Sequence, residues 1–201
     1  RFMDWMATND SPIATWEDRP RPEDVTYALR GVPVEVMVAL ANELGIDPWF
    51  NMPHLADDGY VTAFATYVEE ALNEDRKAYV EFSNEVWNWQ FTQTQWADEM
   101  AQARWNEAEK GMQFYGLRAA EVARIWTDVF GGEAEARLRN EIASQTGWLG
   151  LEREALEAPL YQAEKAGNRA PATAFDAYAI TGYFGGVLGL EDNAELVKDW
   201  L

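Results

Sequence analysis

Short β-prone runs alternate with helix-period segments five times along this chain, and that alternation limits the folds open to it more than any other feature. The runs are RFMDWMA at the start, DPWFNMP over 47–53, KAYVEFS over 77–83, ARLRNEIASQ over 136–145 and FDAYAITGYF over 175–184. The NEIAS core of the fourth fits a strand or a helix. A polar loop to about Pro22 follows the first run. Pro33 then opens a helix with Val34, Met37, Val38, Ala41 and Leu44 on one stripe and Gly45 as its stop. Asp57 or Asp58 caps a second helix whose apolar face is Val61, Phe64, Val68 and Leu72. A long helical region in two pieces follows the third run. Its second piece carries Tyr115, Ala119, Val122, Ile125, Trp126 and Val129 at helical spacing and ends at Gly131-Gly132. Residues 151–166 read as a further helix, and 191–201 as the start of a last one.

This order predicts an α/β protein with a parallel sheet, either doubly wound or a β/α barrel, in a single domain spanning 1–201. No GxGxxG and no GxxxxGK[ST] follows any strand, which removes the main support for a nucleotide-binding version. Chemically capable residues instead collect just past the runs: Asn51 and His54, then Asn84 and Glu85, then Gln145 and Thr146, then Tyr183. A β/α barrel builds its site at that rim from several strands, so the TIM-barrel type is the expected architecture, with about five β/α units present. An open sheet of five strands leaves two edges uncovered. The remaining barrel strands, or another chain, are therefore expected to complete the fold.

Composition narrows the partners. Sixteen Lys and Arg stand against 35 Asp and Glu, a formal charge of -19, and such a surface repels nucleic acid and anionic membranes but not a neutral polysaccharide. There is no cysteine, which excludes disulfides, thiol nucleophiles and thiolate zinc sites. No apolar run approaches the roughly 20 residues of a membrane span, and RFMDWM lacks the pattern of a signal peptide. Ten tryptophans are many for 201 residues. Core packing accounts for most, with Trp96, Trp105, Trp126 and Trp200 on helices; sugar binding is the commonest functional reason for such an excess in an acidic protein.

The densest motif is KAYVEFSNEVWNWQF, residues 77–91. On an extended strand Tyr79, Glu81, Ser83 and Glu85 share one face, while Val80 and Phe82 point to the helices. Glu81 then lies inside, where a carboxylate needs Arg, Tyr or amide partners, and it is expected to be structural. Glu85 lies at the rim, within reach of a ligand. YVEFSNEVWN resembles the fourth-strand motif of the clan A glycoside hydrolases, retaining (β/α)8-barrel enzymes. The resemblance runs from the second barrel strand to the sixth. It implies that Glu85 is the general acid/base, that Asn84 bonds the sugar 2-hydroxyl, and that Tyr183 is the sixth-strand aromatic that bonds the nucleophile. A clan Arg near the end of the second strand matches Arg1. Val86 stands where many members have Pro, which marks an unusual branch. The first strand and the seventh and eighth units are missing by this count, and with them the nucleophile. Glu141 on the fourth run has no counterpart at a rim and is expected to be structural.

Retaining hydrolysis uses two carboxyl groups about 5–5.5 Å apart, one attacking the anomeric carbon and the other protonating the leaving oxygen and then deprotonating water. No cofactor and no metal enters that chemistry. His54 with Asp57 and Asp58 is a poor ligand set, and His54, like Asn51 and Gln145, is expected to bond substrate. No GxSxG turn supports a serine nucleophile. Trp87 and Trp89 read equally as helix-entry packing or as stacking platforms for a sugar; Trp5, Trp16 and Trp49 near other strand ends are weaker candidates. A polysaccharide substrate favours secretion or a periplasmic location. The alternative of another class is a non-catalytic carbohydrate-binding or scaffold barrel, separated from the enzyme by whether a second carboxylate faces Glu85.

Overall fold

The computed structural model describes residues 1–182 and 190–198. Four parallel strands form its sheet: β1 (Trp49–Met52), β2 (Ala78–Phe82), β3 (Leu138–Ser144) and β4 (Ala177–Ile180). Their order in the sheet is their order in the chain. Each crossover therefore steps to the adjacent strand, and the winding does not reverse. Pairing is in register from Trp49 with Tyr79 to Met52 with Phe82, and Glu81 lies opposite both Asn51 and Glu141.

The helices follow from caps and apolar spacing. Helix α1 (Val34–Leu44) begins directly after Pro33, whose carbonyl accepts from the amides of Val36 and Met37. It ends on Gly45 at φ 62°, where the Gly45 amide donates to Asn42 and the Ile46 amide to Ala41, a Schellman closure that glycine adopts without strain. Helix α2 (Asp58–Ala71) is capped by Asp57, which accepts from the Tyr60 amide at 2.7 Å. Helices α3 (Thr92–Trp105) and α4 (Gly111–Phe130) are the two pieces of the long helical region, followed by the single turn α5 (Ala134–Arg137).

Helices cover one face of the sheet. Phe50, Val80, Phe82, Leu138 and Ile142 point into a core shared with Phe64, Tyr115 and Trp126. Trp126 is fully buried, its ring stacked 6.3 Å from Phe50 and 5.9 Å from Phe130. The opposite face carries Trp49, Asn51, Tyr79, Glu81, Arg139 and Glu141. A face so rich in charge and amide is not one a second helical layer would cover.

Three expectations change. RFMDWMA is a series of turns rather than a strand: Met6 donates to the Phe2 carbonyl at 2.8 Å, and Ala7 sits at φ 46°. Phe2 and Met6 are both buried, and a spacing of four shares a face in a strand as well as in a helical turn, so their burial alone does not separate the two. Two bonds, from the Phe2 amide to the Trp49 carbonyl at 2.8 Å and from the Asn51 amide to Met6 Sδ at 3.2 Å, tie this segment to the edge of β1. The helix over 151–166 is two, α6 (Leu151–Glu157) and α7 (Pro159–Glu164), broken at Ala158 with φ 40°. Pro159 has no amide hydrogen and its ring opposes continuation of the preceding helix. The described strands therefore number four, and among the described residues the run over 175–184 pairs through Ala177–Ile180. The last described helix is α8 (Ala194–Lys198).

Candidate functional site

Strand β2 stops at Phe82, and the next three residues turn sharply. Ser83 and Glu85 take positive φ, 61° and 41°, on either side of Asn84. The alternation that places Tyr79 and Glu81 on one face thus fails beyond Phe82, and Glu85 reaches the rim by a left-handed turn rather than by extension. Side chains without a glycine's freedom hold such angles only where the surroundings fix them, a strain that gathers at functional sites.

The fixing bonds are visible. Asn51 Nδ2 donates to the Ser83 carbonyl at 2.9 Å and to Glu81 Oε2 at 2.8 Å. Gln93 Nε2, from the first turn of α3, donates to the Asn84 carbonyl at 2.8 Å. The Asn88 amide donates to the Glu85 carbonyl at 2.8 Å, and Asn88 Nδ2 to Glu85 Oε2 at 2.9 Å. Asn84 is buried and its amide is bonded at both atoms: Oδ1 accepts from Arg1 Nη2 at 2.8 Å and Nδ2 donates to Asn9 Oδ1 at 3.0 Å.

Beneath this turn lies an ion pair between the buried Glu81 and the partly exposed Arg1. Arg1 Nη2 reaches both oxygens of Glu81, at 2.9 and 2.7 Å, and its guanidinium lies 5.3 Å from the Trp49 ring centre. Burial pushes the Glu81 carboxyl up, against the opposing pull of Arg1 and Asn51. Across the ladder the Glu141 carboxyl is also raised, by burial first and then by the charges of Glu81 and Asp176, with Arg139 opposing. Glu81 thus has the Arg and amide partners its position demands.

Arg1, Trp49, Glu81, Asn84, Glu85 and Trp87 line one side of an open cavity of about 410 Å³ at the carboxyl ends of the strands. The ends of β3 and β4 close the other side. This is the edge at which parallel α/β sheets bind their ligands.

The residues singled out in the sequence scatter around this cavity. Glu85, Asn84 and Trp87 come together there; Trp87 is largely buried, packed with Ala143 and Leu151. Asn51 lies fully buried in β1, with its amide nitrogen on Glu81 and Ser83. Trp89 is 56% exposed and faces a neighbouring cleft. Trp5 packs on Phe2 with ring centres 5.5 Å apart, outside the cavity lining. Gln145 folds back to accept from the Gly147 amide. Tyr183 lies outside the described residues. Among the described residues no group of three or more His, Asp and Glu side chains is arranged to hold a metal ion, and no helix is long and apolar enough to cross a membrane. Asn9, Asn88 and Gln93 went unnoticed in the sequence, because none sits on a strand or an apolar stripe that would mark it.

His54 is buried edge-on to Trp96, with ring centres 5.5 Å apart and Nδ1 without a bonding partner. Burial pushes its imidazole down to about 4, with Asp10 opposing. A base depressed on folding takes up its proton first in the unfolded chain. Its contribution to stability is therefore complete above about pH 6.5 and is lost as the pH falls toward 4. Urea denaturation at pH 7 and pH 4.5 is expected to show about 2 kcal/mol less pH-dependent loss in His54→Phe than in the parent chain. Parallel losses in both would show that His54 is already charged when folded.

No family model matches the chain, and neither a curated protein nor a solved structure matches it.

Proposed function

We propose that this chain is part of a (β/α)8 barrel of the clan A type and that its cavity hydrolyses β-linked glycosidic bonds in a poly- or oligosaccharide with retention of configuration. The observation that carries the reading is the placement of Asn84-Glu85 on a braced turn at the carboxyl end of β2, above the Arg1–Glu81 pair and inside the rim cavity. Sequential parallel winding with helices on one face is the arrangement a closed barrel requires. It also leaves the polar face of the sheet as the barrel interior.

In this reading Glu85 protonates the leaving oxygen and then takes the proton from water. Asn88 holds its carboxyl in place through the bond to Oε2. Asn84 presents its amide to the sugar 2-hydroxyl, and the bonds from Arg1 and to Asn9 fix which way that amide faces. Glu81 is the counter-charge that keeps Arg1 there rather than a second reacting carboxyl. The nucleophile belongs to a strand outside this chain, so the 201 residues alone are expected to be inactive and only the completed barrel to turn substrate over. A polysaccharide substrate sets the work outside the cytoplasm, in a secreted or periplasmic protein.

Proton NMR of the first-formed products from a soluble β-linked polysaccharide, turned over by the completed barrel that supplies the nucleophile, tests the proposal. The β-anomer is expected first, and its formation is expected to depend on Glu85. An α-anomer formed first, or turnover indifferent to Glu85, would overturn it.

A further inference from the structure

Beyond Trp87 lies a second, larger cleft of about 740 Å³. Its walls come from the turn after β2 with Trp87 and Trp89, from Asp98 on α3, from Met112 on α4, and from the connection after β3 with Trp148. Three observations bear on what it holds.

The first is exposure. Trp89 and Trp148 are 56% and 52% exposed, on the two loops that leave adjacent strands. Two indoles left half in water on one cleft gain from any ligand that covers them. The second is charge. Asp98, Glu109 and Glu154 line the cleft with a single ammonium, Lys110, which already stands 3.8 Å from Glu154. Carboxylates in excess reject a polyanion and accept hydroxyl hydrogens, while an indole face takes an apolar C–H face. The third is continuity. Trp87 lines both this cleft and the rim cavity. Both volumes fall within the roughly 300–1,000 Å³ of sites that enclose a drug-sized ligand, so one extended molecule passing Trp87 occupies both.

We infer that the cleft binds the continuation of a neutral polysaccharide chain whose neighbouring unit sits in the rim cavity, so that the protein engages chains in their interior rather than at an end. The inference rests on the carbohydrate reading of the rim and adds Trp148 and Trp89 as the residues that select for chain length. Asp98 and Glu109 supply acceptors beside the rings.

Calorimetric titration with hexasaccharides and disaccharides of β-1,4-linked glucose, mannose and xylose tests it. One series is expected to bind, its hexasaccharide at least about tenfold more tightly than its disaccharide. Trp148→Ala and Trp89→Ala are each expected to weaken the hexasaccharide about fivefold to tenfold and leave the disaccharide unchanged. Trp148→Phe should recover most of the loss, which separates stacking from a folding defect. No binding in any series, equal affinity for both lengths, or hexasaccharide affinity unchanged in both alanine variants would overturn the inference. Turnover that needs Glu85 but ignores Trp148→Ala and Trp89→Ala sinks the cleft and spares the rim. Length-selective binding lost in Trp148→Ala, with turnover indifferent to Glu85, does the reverse.

Discussion

Gly116→Ala is expected to cost about 2 kcal/mol of stability by forcing α6 off α4. A Cβ at Gly116 would stand 1.8 Å from the carbonyl oxygen of Ala155, 2.7 Å from its carbonyl carbon and 2.9 Å from its Cα. All three are backbone atoms, so no rotamer change relieves the overlap. Alanine's better helix propensity returns about 1 kcal/mol, whereas overpacking of this kind typically costs about 1–3 kcal/mol and sometimes more. Separating the helices also opens the seam in which Ala155 and Leu151 are buried. Urea denaturation followed by far-ultraviolet circular dichroism should show a lowered midpoint. Gly132→Ala, where nothing stands within 4 Å of the added carbon, is the control and should shift it little. An unchanged midpoint in Gly116→Ala would mean that α6 has no fixed seat on α4. Because Leu151 and Trp148 line the cleft beside α6, the same substitution should blunt its length selectivity.

That seat could not be read from the sequence, where Gly116 is only a small residue inside a helical pattern. What the periodicity did carry was the element order. Val61, Phe64, Val68 and Leu72 recur at helical spacing because α2 has one buried stripe, and Val80 and Phe82 alternate with Tyr79 and Glu81 because β2 has a helix-covered face and a polar one. Alternation gave no warning of its own failure at Ser83 and Glu85, since neither is the glycine that usually marks a positive φ. The opening segment misled for a related reason. Its aromatic and sulfur-bearing residues are β-prone, yet Phe2 and Met6 reach the core by turning. Asn84-Glu85 stood out because the run that contains it, YVEFSNEVWN, resembles a strand-end motif. Its braces did not, because Asn9, Asn88 and Gln93 lie in loops or a helix turn, and only the fold brings them to Asn84 and Glu85. His54, a lone histidine past a strand end that reads as a substrate contact, is buried against Trp96 in the fold and is not among the residues lining the rim cavity.

In the completed barrel, Glu85→Gln is expected to lower turnover of poor leaving groups by about 10²–10⁴-fold, the usual contribution of one positioned acid/base. The exchange keeps the shape of the side chain, and its amide oxygen can still accept from Asn88 Nδ2 as Oε2 does. The turn and the cavity should therefore survive, and oligosaccharide affinity with them. An aryl glycoside with a good leaving group needs little protonation to depart, so its first step should stay fast while release of the glycosyl group becomes limiting. Stopped-flow measurement should then show a burst of phenolate followed by a slow steady rate. Glu81→Gln should behave differently although Glu81 lines the same cavity. It withdraws the charge from Arg1 and leaves a guanidinium with no counter-ion at the sheet, a loss of about 3 kcal/mol for a buried pair, reduced here because Arg1 is 37% exposed. Its signature is a lower denaturation midpoint with any fall in turnover following from displacement of Asn84, which Arg1 also holds. If Glu85→Gln instead lowered the midpoint and left the rate per folded molecule intact, Glu85 would be a brace of its own turn, and the acid/base role would have to pass to another residue of the rim.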